Sequence, residues 1–438
     1  MNYRLAAEQI FLAGVDRVQP DTLINKAMSF KDNCLFINDH TFRMDSFEHV
    51  FVIGAGKASA LMGAAVEKIL GDRITGGHIV VKYGHSCDLK NIKVTEAGHP
   101  VPDSNGFIAT GSILGISVKA SNDDLVICLL SGGGSALLSD CPEGIAHKEI
   151  IEFNNLMINS GASIREINTV RKHLSLVKGG YLAKAVYPAT LVSLILSDVA
   201  GDPLDVIASG PTVPDPTTFK QAVDILKKYN ITGSVPMGIL NYLRDGSDGR
   251  RPETPKPEDP LFDKTFNILT GTNNLALEAA VKRAVEFNIT AIIIDDKIEG
   301  DIRVVSDYIV ETALKFRNDT SVPKPVCLLF GGEPTIRVTG RGYGGRNQHL
   351  ALYCATLLSN LDGITILSAG TDGTDGPTSA AGAVVDCDTF NDAVSQKIIP
   401  DEYLLEFNSF NFFKKAGGHI ITGPTMTNVM DIIVAIVE

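Results

Sequence analysis

The 438-residue chain has no tryptophan, and no aromatic clamp stands out among its tyrosines and phenylalanines, so no loop declares itself as the cradle of a flat ring. Its seven cysteines (Cys34, Cys87, Cys128, Cys141, Cys327, Cys354 and Cys387) are scattered and form no C-x-x-C pair, which excludes a standard zinc site. Cys128 and Cys327 sit in apolar runs and read as small core residues. An odd, dispersed set fits a reducing cytosol, so a cytoplasmic location is expected. Positive charge is also short. Lys and Arg number 39 against 51 Asp and Glu, a formal net charge of −12, which argues against a nucleic-acid partner. No run approaches the ~18 apolar residues of a membrane helix. The first 20 residues lack a signal peptide's charged-then-apolar layout. Leu5, Ile10, Phe11, Val15 and Val18 repeat near helical spacing there and predict an amphipathic helix. There is no short-period repeat and no low-complexity tract.

What the chain does have is alternation. Apolar runs at 49–54, 78–84, 124–134 and 191–198 are separated by helix-like stretches. They are continuously apolar rather than alternating, the pattern of a parallel sheet covered on both faces. Segment 245–264 ("DGSDGRRPETPKPEDPLFDK") has almost nothing to bury and reads as a linker or surface loop. Alternation then resumes through 266–271, 289–296, 325–332 and 364–373, and the end reads as a last strand. The expected organisation is an N-terminal α/β domain over 1–245, a linker over 246–264 and a C-terminal α/β domain over 265–438. The C-terminal segment is left free to pack back on the first domain.

Several strands end in glycine-rich turns, where parallel sheets meet their ligands. There Gly lets backbone N–H groups approach an anion, and the following helix adds its dipole. An acidic protein still binds an anion where Lys, Arg and amides cluster. "GAGKAS" places Lys57 after Gly54 and Gly56. It matches neither the dinucleotide fingerprint nor a Walker A loop, and it stays open between a phosphate contact and a tight turn with a solvated lysine. "SGGGS" (Ser131, Gly132, Gly133, Gly134, Ser135) offers more glycine than helix-on-strand packing requires, which favours an anion cradle. His99, in "EAGHPVPD", is a candidate substrate contact beside a structural alternative. Asp198 ends an apolar strand and is followed by Asp202, so it is placed for Mg²⁺ or for proton abstraction; capping and turn formation are the alternatives. Asp372 and Asp375 repeat that pattern in "GTDGTDG". Glu333 follows another strand. Arg341, Arg346 and Asn347 then lie in a Gly-rich loop before a helix, where planar guanidinium forks suit phosphate or carboxylate and where packing is a poor explanation.

In order along the chain, "VIGAGKAS", "EAGHPVPD", "SGGGSALL", "INTVRKHLSLVKGG", "SDVAGDPLDVIASGPTVPD", "GRNQ", "GTDGTDGPT" and "TGPTMTN" resemble the glycerate 2-kinase family, whose C-terminal part carries the MOFRL name. The resemblance runs from about residue 50 to the C-terminus. It implies two α/β domains with mainly parallel sheets, the N-terminal one Rossmann-like, with an active-site cleft between them. It implies phosphorylation of D-glycerate to 2-phosphoglycerate with ATP as co-substrate and Mg²⁺ as cofactor. Lys57 and Arg346 fall on the family's essential lysine and arginine, and Asp198 on the aspartate of its "SDVxGD" motif. Nucleotide and substrate contacts are expected from Gly54, Gly56, the "SGGGS" loop, His99, Glu333, Arg341 and Asn347. Metal ligation is expected from some of Asp198, Asp202, Asp372 and Asp375. His349, Ser379 and Met426 depart from the commoner Glu, Asp and Gly of relatives, so no carboxylate is expected to act at 349 or 379. Members have carried the label hydroxypyruvate reductase, so an NAD(P)H-dependent reductase is one alternative. A non-catalytic anion-binding protein is the other. Whether copies associate into a homo-oligomer stays open.

Overall fold

Fifteen strands form three sheets in the computed structural model, which describes residues 1–438. β1 (Met28–Lys31), β2 (Cys34–Ile37) and β3 (His40–Arg43) make a small antiparallel meander. Six strands follow: β4 (His49–Ala55), β5 (Gly76–Lys82), β6 (Lys93–Ala97), β7 (Asp124–Leu130), β8 (Thr190–Leu196) and β9 (Thr265–Gly271). They form one sheet in the order β6-β5-β4-β7-β8-β9, and the pairings from β6 across to β8 are parallel. This is the doubly wound order of Rossmann-like folds. The direction of winding reverses between β4 and β7, where ligands of such sheets bind. Because Ala55 pairs with Leu130, the "GAGK" and "SGGGS" turns leave the sheet side by side.

The other six strands are β10 (Thr290–Ile298), β11 (Val326–Gly332), β12 (Ile364–Gly370), β13 (Gly382–Val385), β14 (His419–Ile420) and β15 (Asp431–Val437). Their order is β10-β11-β15-β12-β13-β14. Only β10 and β11 pair in parallel; the other four pairings are antiparallel. The expectation of a mainly parallel second sheet is therefore corrected. A continuously apolar strand reports burial on both faces, and it says nothing about direction.

The chain divides into two units. The parallel-sheet unit comprises Leu23–Ser197 and Pro203–Thr270; the mixed-sheet unit comprises Met1–Thr22, Asp198–Asp202 and Gly271–Glu438. This differs from the expected division in three ways. The N-terminal helix Tyr3–Arg17 belongs with the C-terminal half: it packs on helix Asn273–Glu286, and a Cβ at Gly14 would lie 2.9 Å from Ile432 Cδ1. The last strand, β15, is central in the mixed sheet, and residues Asp198–Asp202 belong with that unit. Segment 246–264 is no linker. It is laced into the parallel-sheet unit through Asp215 N–H to Pro255 O (2.9 Å), Lys256 Nζ to Asp215 O (2.9 Å) and Phe219 N–H to Glu253 (3.0 Å). Polar backbone and charged side chains hold it where apolar content predicted nothing.

Within the parallel-sheet unit, helices His147–Asn159, Ile164–Lys172, Phe219–Lys228 and Met237–Ser247 share a second core around Phe153, Val170, Phe219 and Leu243. The amphipathic helix expected in the first 20 residues is present as Tyr3–Arg17, and the apolar runs expected as strands lie in the two six-stranded sheets. All seven cysteines are free, with Cys128 and Cys327 buried. No helix is long and apolar enough to cross a membrane.

Candidate functional site

In the parallel-sheet unit, the ends of β4 and β7 are bound tightly together. Lys57 N–H donates to Gly132 O (2.9 Å), Ala58 N–H to Ser131 Oγ (3.0 Å), and Ser131 N–H to Ala55 O (3.1 Å). Glycine is required at this seam. A Cβ at Gly54 would lie 2.4 Å from Leu129 O, and one at Gly56, which has φ +137°, would lie 2.1 Å from Ser131 Oγ. These two glycines thus serve close strand packing. No carbonyl or side chain receives the N–H groups of Gly132 and Gly133, and Lys57 has no carboxylate partner. A cation beside unspent amides is the composition of an anion site.

His99 borders the same turn. A Cβ at Gly133 (φ +82°) would lie 2.9 Å from His99 Nε2 and 3.6 Å from Lys57 Cγ. Burial, and then the positive charges of Lys57, Lys82 and His85, push the imidazole down to about 4, so His99 is neutral at pH 7. Ser135 Oγ meets Ser209 Oγ at 2.7 Å, and Ser209 also reaches Asn168 Oδ1 at 3.3 Å. Ala208 (φ +50°), Ser209 (φ +62°) and Gly210 (φ +62°) are consecutive left-handed residues, two of them paying a steric cost that Gly would avoid.

In the mixed-sheet unit, Arg346 is the first residue of helix Arg346–Leu357. Its Nε and Nη2 grip Asp431 at 2.6 and 2.9 Å, and Nη1 reaches Glu333 at 2.7 Å. Burial works to lower the guanidinium's pKa, but the hydrogen bond and charge of Asp431, with Glu333 and Asp375, raise it overall. Asp375 caps the same helix, accepting from the N–H groups of Asn347 (3.0 Å) and Gln348 (2.8 Å) and from Gln348 Nε2 (3.0 Å). Burial lifts its carboxyl to about 6 against those donors, with the Asp431 charge adding to the rise.

Residues 6–244 match a domain of unknown function (DUF4147), and residues 326–431 match the MOFRL family. A D-glycerate 2-kinase of Thermotoga maritima is 42% identical over 90% of this chain and 91% of its own length. The chain belongs to the glycerate 2-kinase family. A protein named putative hydroxypyruvate reductase from Agrobacterium vitis is 40% identical over 87% of the chain and 85% of its own length. A crystal structure of glycerate kinase from Thermotoga maritima superposes with a TM-score of 0.88 at 37% identity, covering 100% of this chain and 99% of that one.

Against this family background, some expected site residues are spent internally. Asn347 is buried, with its Oδ1 accepting from Ser368 Oγ (2.6 Å). The "GRGYGGRNQ" loop, expected to be functional because packing seemed a poor reason for it, does use its glycines for packing. Added Cβ atoms at Gly340 and Gly342 would lie 2.4 Å from Glu406 O, and one at Gly344 would lie 2.2 Å from Ser409 Oγ. Arg341 is exposed and forms no ion pair. His349 is buried and stacks on Phe407 with centroids 4.8 Å apart. Met426 stands at φ +62°, a left-handed backbone that Gly adopts more readily than Met.

The four expected metal ligands do not converge. No group of three or more His, Cys, Asp or Glu is arranged to hold a metal ion. Both oxygens of Asp375 go to amides, and Asp372 Oδ1 accepts from Thr374 N–H (3.0 Å). Asp202, at φ +54°, is the one of the four with a buried carboxylate oxygen lacking a partner. The residues present therefore do not fit a protein-built Mg²⁺ centre. Sequence reasoning also missed Asp431, Ser209 and Asn168. Asp431 had a signal, an acid opening an otherwise apolar strand; the others lay inside quoted motifs without being singled out.

Proposed function

We propose that this chain transfers the γ-phosphoryl group of Mg·ATP to the 2-hydroxyl of D-glycerate, giving 2-phosphoglycerate and ADP, in a reducing cytosol. The observation that carries the reading is Lys57: a cation without a carboxylate partner, at the winding reversal of a Rossmann-like sheet, beside the free amides of Gly132 and Gly133. Family membership supplies the reaction. Phosphoryl transfer asks chiefly for positioning and charge neutralisation. Lys57 and the Gly132–Gly133 amides hold anionic oxygens. Neutral His99 offers a hydrogen bond without adding charge. Arg346, its plane fixed by Asp431, stabilises charge on the transferring group. The glycerate oxygen attacks phosphorus, the bond to the β-phosphate oxygen breaks, and Asp198 accepts the hydroxyl proton. Mg²⁺ arrives as part of the nucleotide substrate.

The reductase label on one relative favours a second reading. It needs a dinucleotide's pyrophosphate at the start of helix Ser59–Leu70. There the Ala58 N–H is already given to Ser131 Oγ, and Gly56 is packed on Ser131. That disfavours it. Purified protein supplied with Mg·ATP and D-glycerate should release ADP; NADH oxidation with hydroxypyruvate, and no ADP, would replace this reading with the second.

A further inference from the structure

A cavity of about 290 Å³ lies wholly within the parallel-sheet unit, lined by His99, Gly133, Ser135, Phe107, Phe153 and Leu174 among others. At about 30 Å³ per water it holds roughly ten, ample for a small organic anion. Two cations line it, Arg171 and Lys178. Lys178 is compensated: Nζ lies 3.4 Å from Asp140 Oδ1 and also donates to Leu138 O. The neighbouring residue, Lys172, points elsewhere and lies buried between Asp205 (3.4 Å) and Asp215 (3.3 Å). Arg171 differs from both. Its one partner is the neutral amide oxygen of Asn154, 2.9 Å from Nε, and it has no ion pair. Burial alone shifts it, downward, with no carboxylate opposing.

A partly buried guanidinium without a counter-charge is left short of partners, and a forked donor set facing a cavity matches a carboxylate or phosphate. We propose that Arg171 is the anion-binding residue of this cavity, receiving an oxyanion of substrate: the carboxylate of the hydroxy acid or a phosphate of the nucleotide. This deepens the kinase reading by adding a charged contact that Lys57 and Arg346 do not provide.

The test is Arg171→Gln, with Arg171→Lys beside it. KM is measured for D-glycerate at saturating Mg·ATP and for ATP at saturating D-glycerate. The Gln variant is expected to raise one KM at least tenfold, about 1.4 kcal/mol of binding. A rise for D-glycerate assigns the carboxylate; a rise for ATP assigns a phosphate. Both values within twofold of wild type would overturn the proposal. A second readout separates a binding role from a structural one. Without ligand, the Gln variant should melt at or above the wild-type temperature, because an uncompensated charge has been removed. A lower Tm or failure to fold would show that Arg171 serves the fold instead. If wild type turns over no substrate, the kinase reading fails independently. The proposal is then read from the Tm increase caused by D-glycerate or by ATP. Loss of that increase in the Gln variant supports it, and retention overturns it.

Discussion

Replacing Asp431 by Asn isolates a bidentate ion pair of the mixed-sheet unit whose carboxylate is buried. Asp431 is 1% exposed and takes two hydrogen bonds from Arg346. Asn keeps the shape, but its carbonyl accepts only one of those bonds, and its NH₂ faces the other donor. One charge-assisted bond is lost, and the guanidinium loses its buried counter-charge. Such a bond contributes about 1.5–3 kcal/mol. At about 2–4 °C per kcal/mol for a unit of this size, Tm should fall by about 3–12 °C. Glu333→Gln removes the other partner, whose side chain is 48% exposed. An exposed pair contributes about 0–1 kcal/mol, so Tm should move by at most about 4 °C. Scanning calorimetry of both variants reads the difference. Turnover should follow, with kcat falling more in Asp431→Asn because the plane of Arg346 is then unfixed. An unchanged Tm in Asp431→Asn, or an equal loss in Glu333→Gln, would refute the reasoning.

Lys57→Ala should lower kcat by orders of magnitude with an unchanged melting temperature, since its only bonds are made by its backbone; near-normal turnover would remove Lys57 from the mechanism. Met426→Gly should be neutral or stabilise by up to about 1 kcal/mol in chemical denaturation, because only Gly adopts φ +62° without steric cost; marked destabilisation would mean that the Met side chain outweighs the strain. Burial, then Arg303, hold His349 down to about 4, with Asp301 opposing. Between about pH 6.5 and 4 the unfolded chain therefore takes up a proton that the folded chain refuses, and stability falls as pH falls through that window. His349→Phe should lessen the loss of urea resistance between pH 7 and 4.5; an unchanged loss would place the acid sensitivity elsewhere.

Much of the fold was legible because burial on two faces leaves long apolar runs, as at 124–130 and 191–196. Direction was not legible, since β15 reads the same whether it joins a neighbour parallel or antiparallel. Neither was the placement of helix Tyr3–Arg17, whose amphipathic face says that it packs but not on what. The polar lacing of 246–264 leaves no trace in the pattern of apolar residues. At the site, Lys57 was visible through its glycines, although Gly54 and Gly56 turn out to be demanded by strand packing. Asp375 looked like a ligand because an acid in a Gly-rich turn and an acid capping a distant helix have the same local sequence. Arg171 stayed hidden because the lack of a counter-charge is a property of three-dimensional surroundings.

One assay tests the kinase reading most directly: ADP released from Mg·ATP with D-glycerate, beside L-glycerate and beside hydroxypyruvate with NADH, with the product offered straight to enolase. ADP release with D-glycerate and direct acceptance of the product by enolase is the predicted result. NADH oxidation with hydroxypyruvate and no ADP release would contradict it.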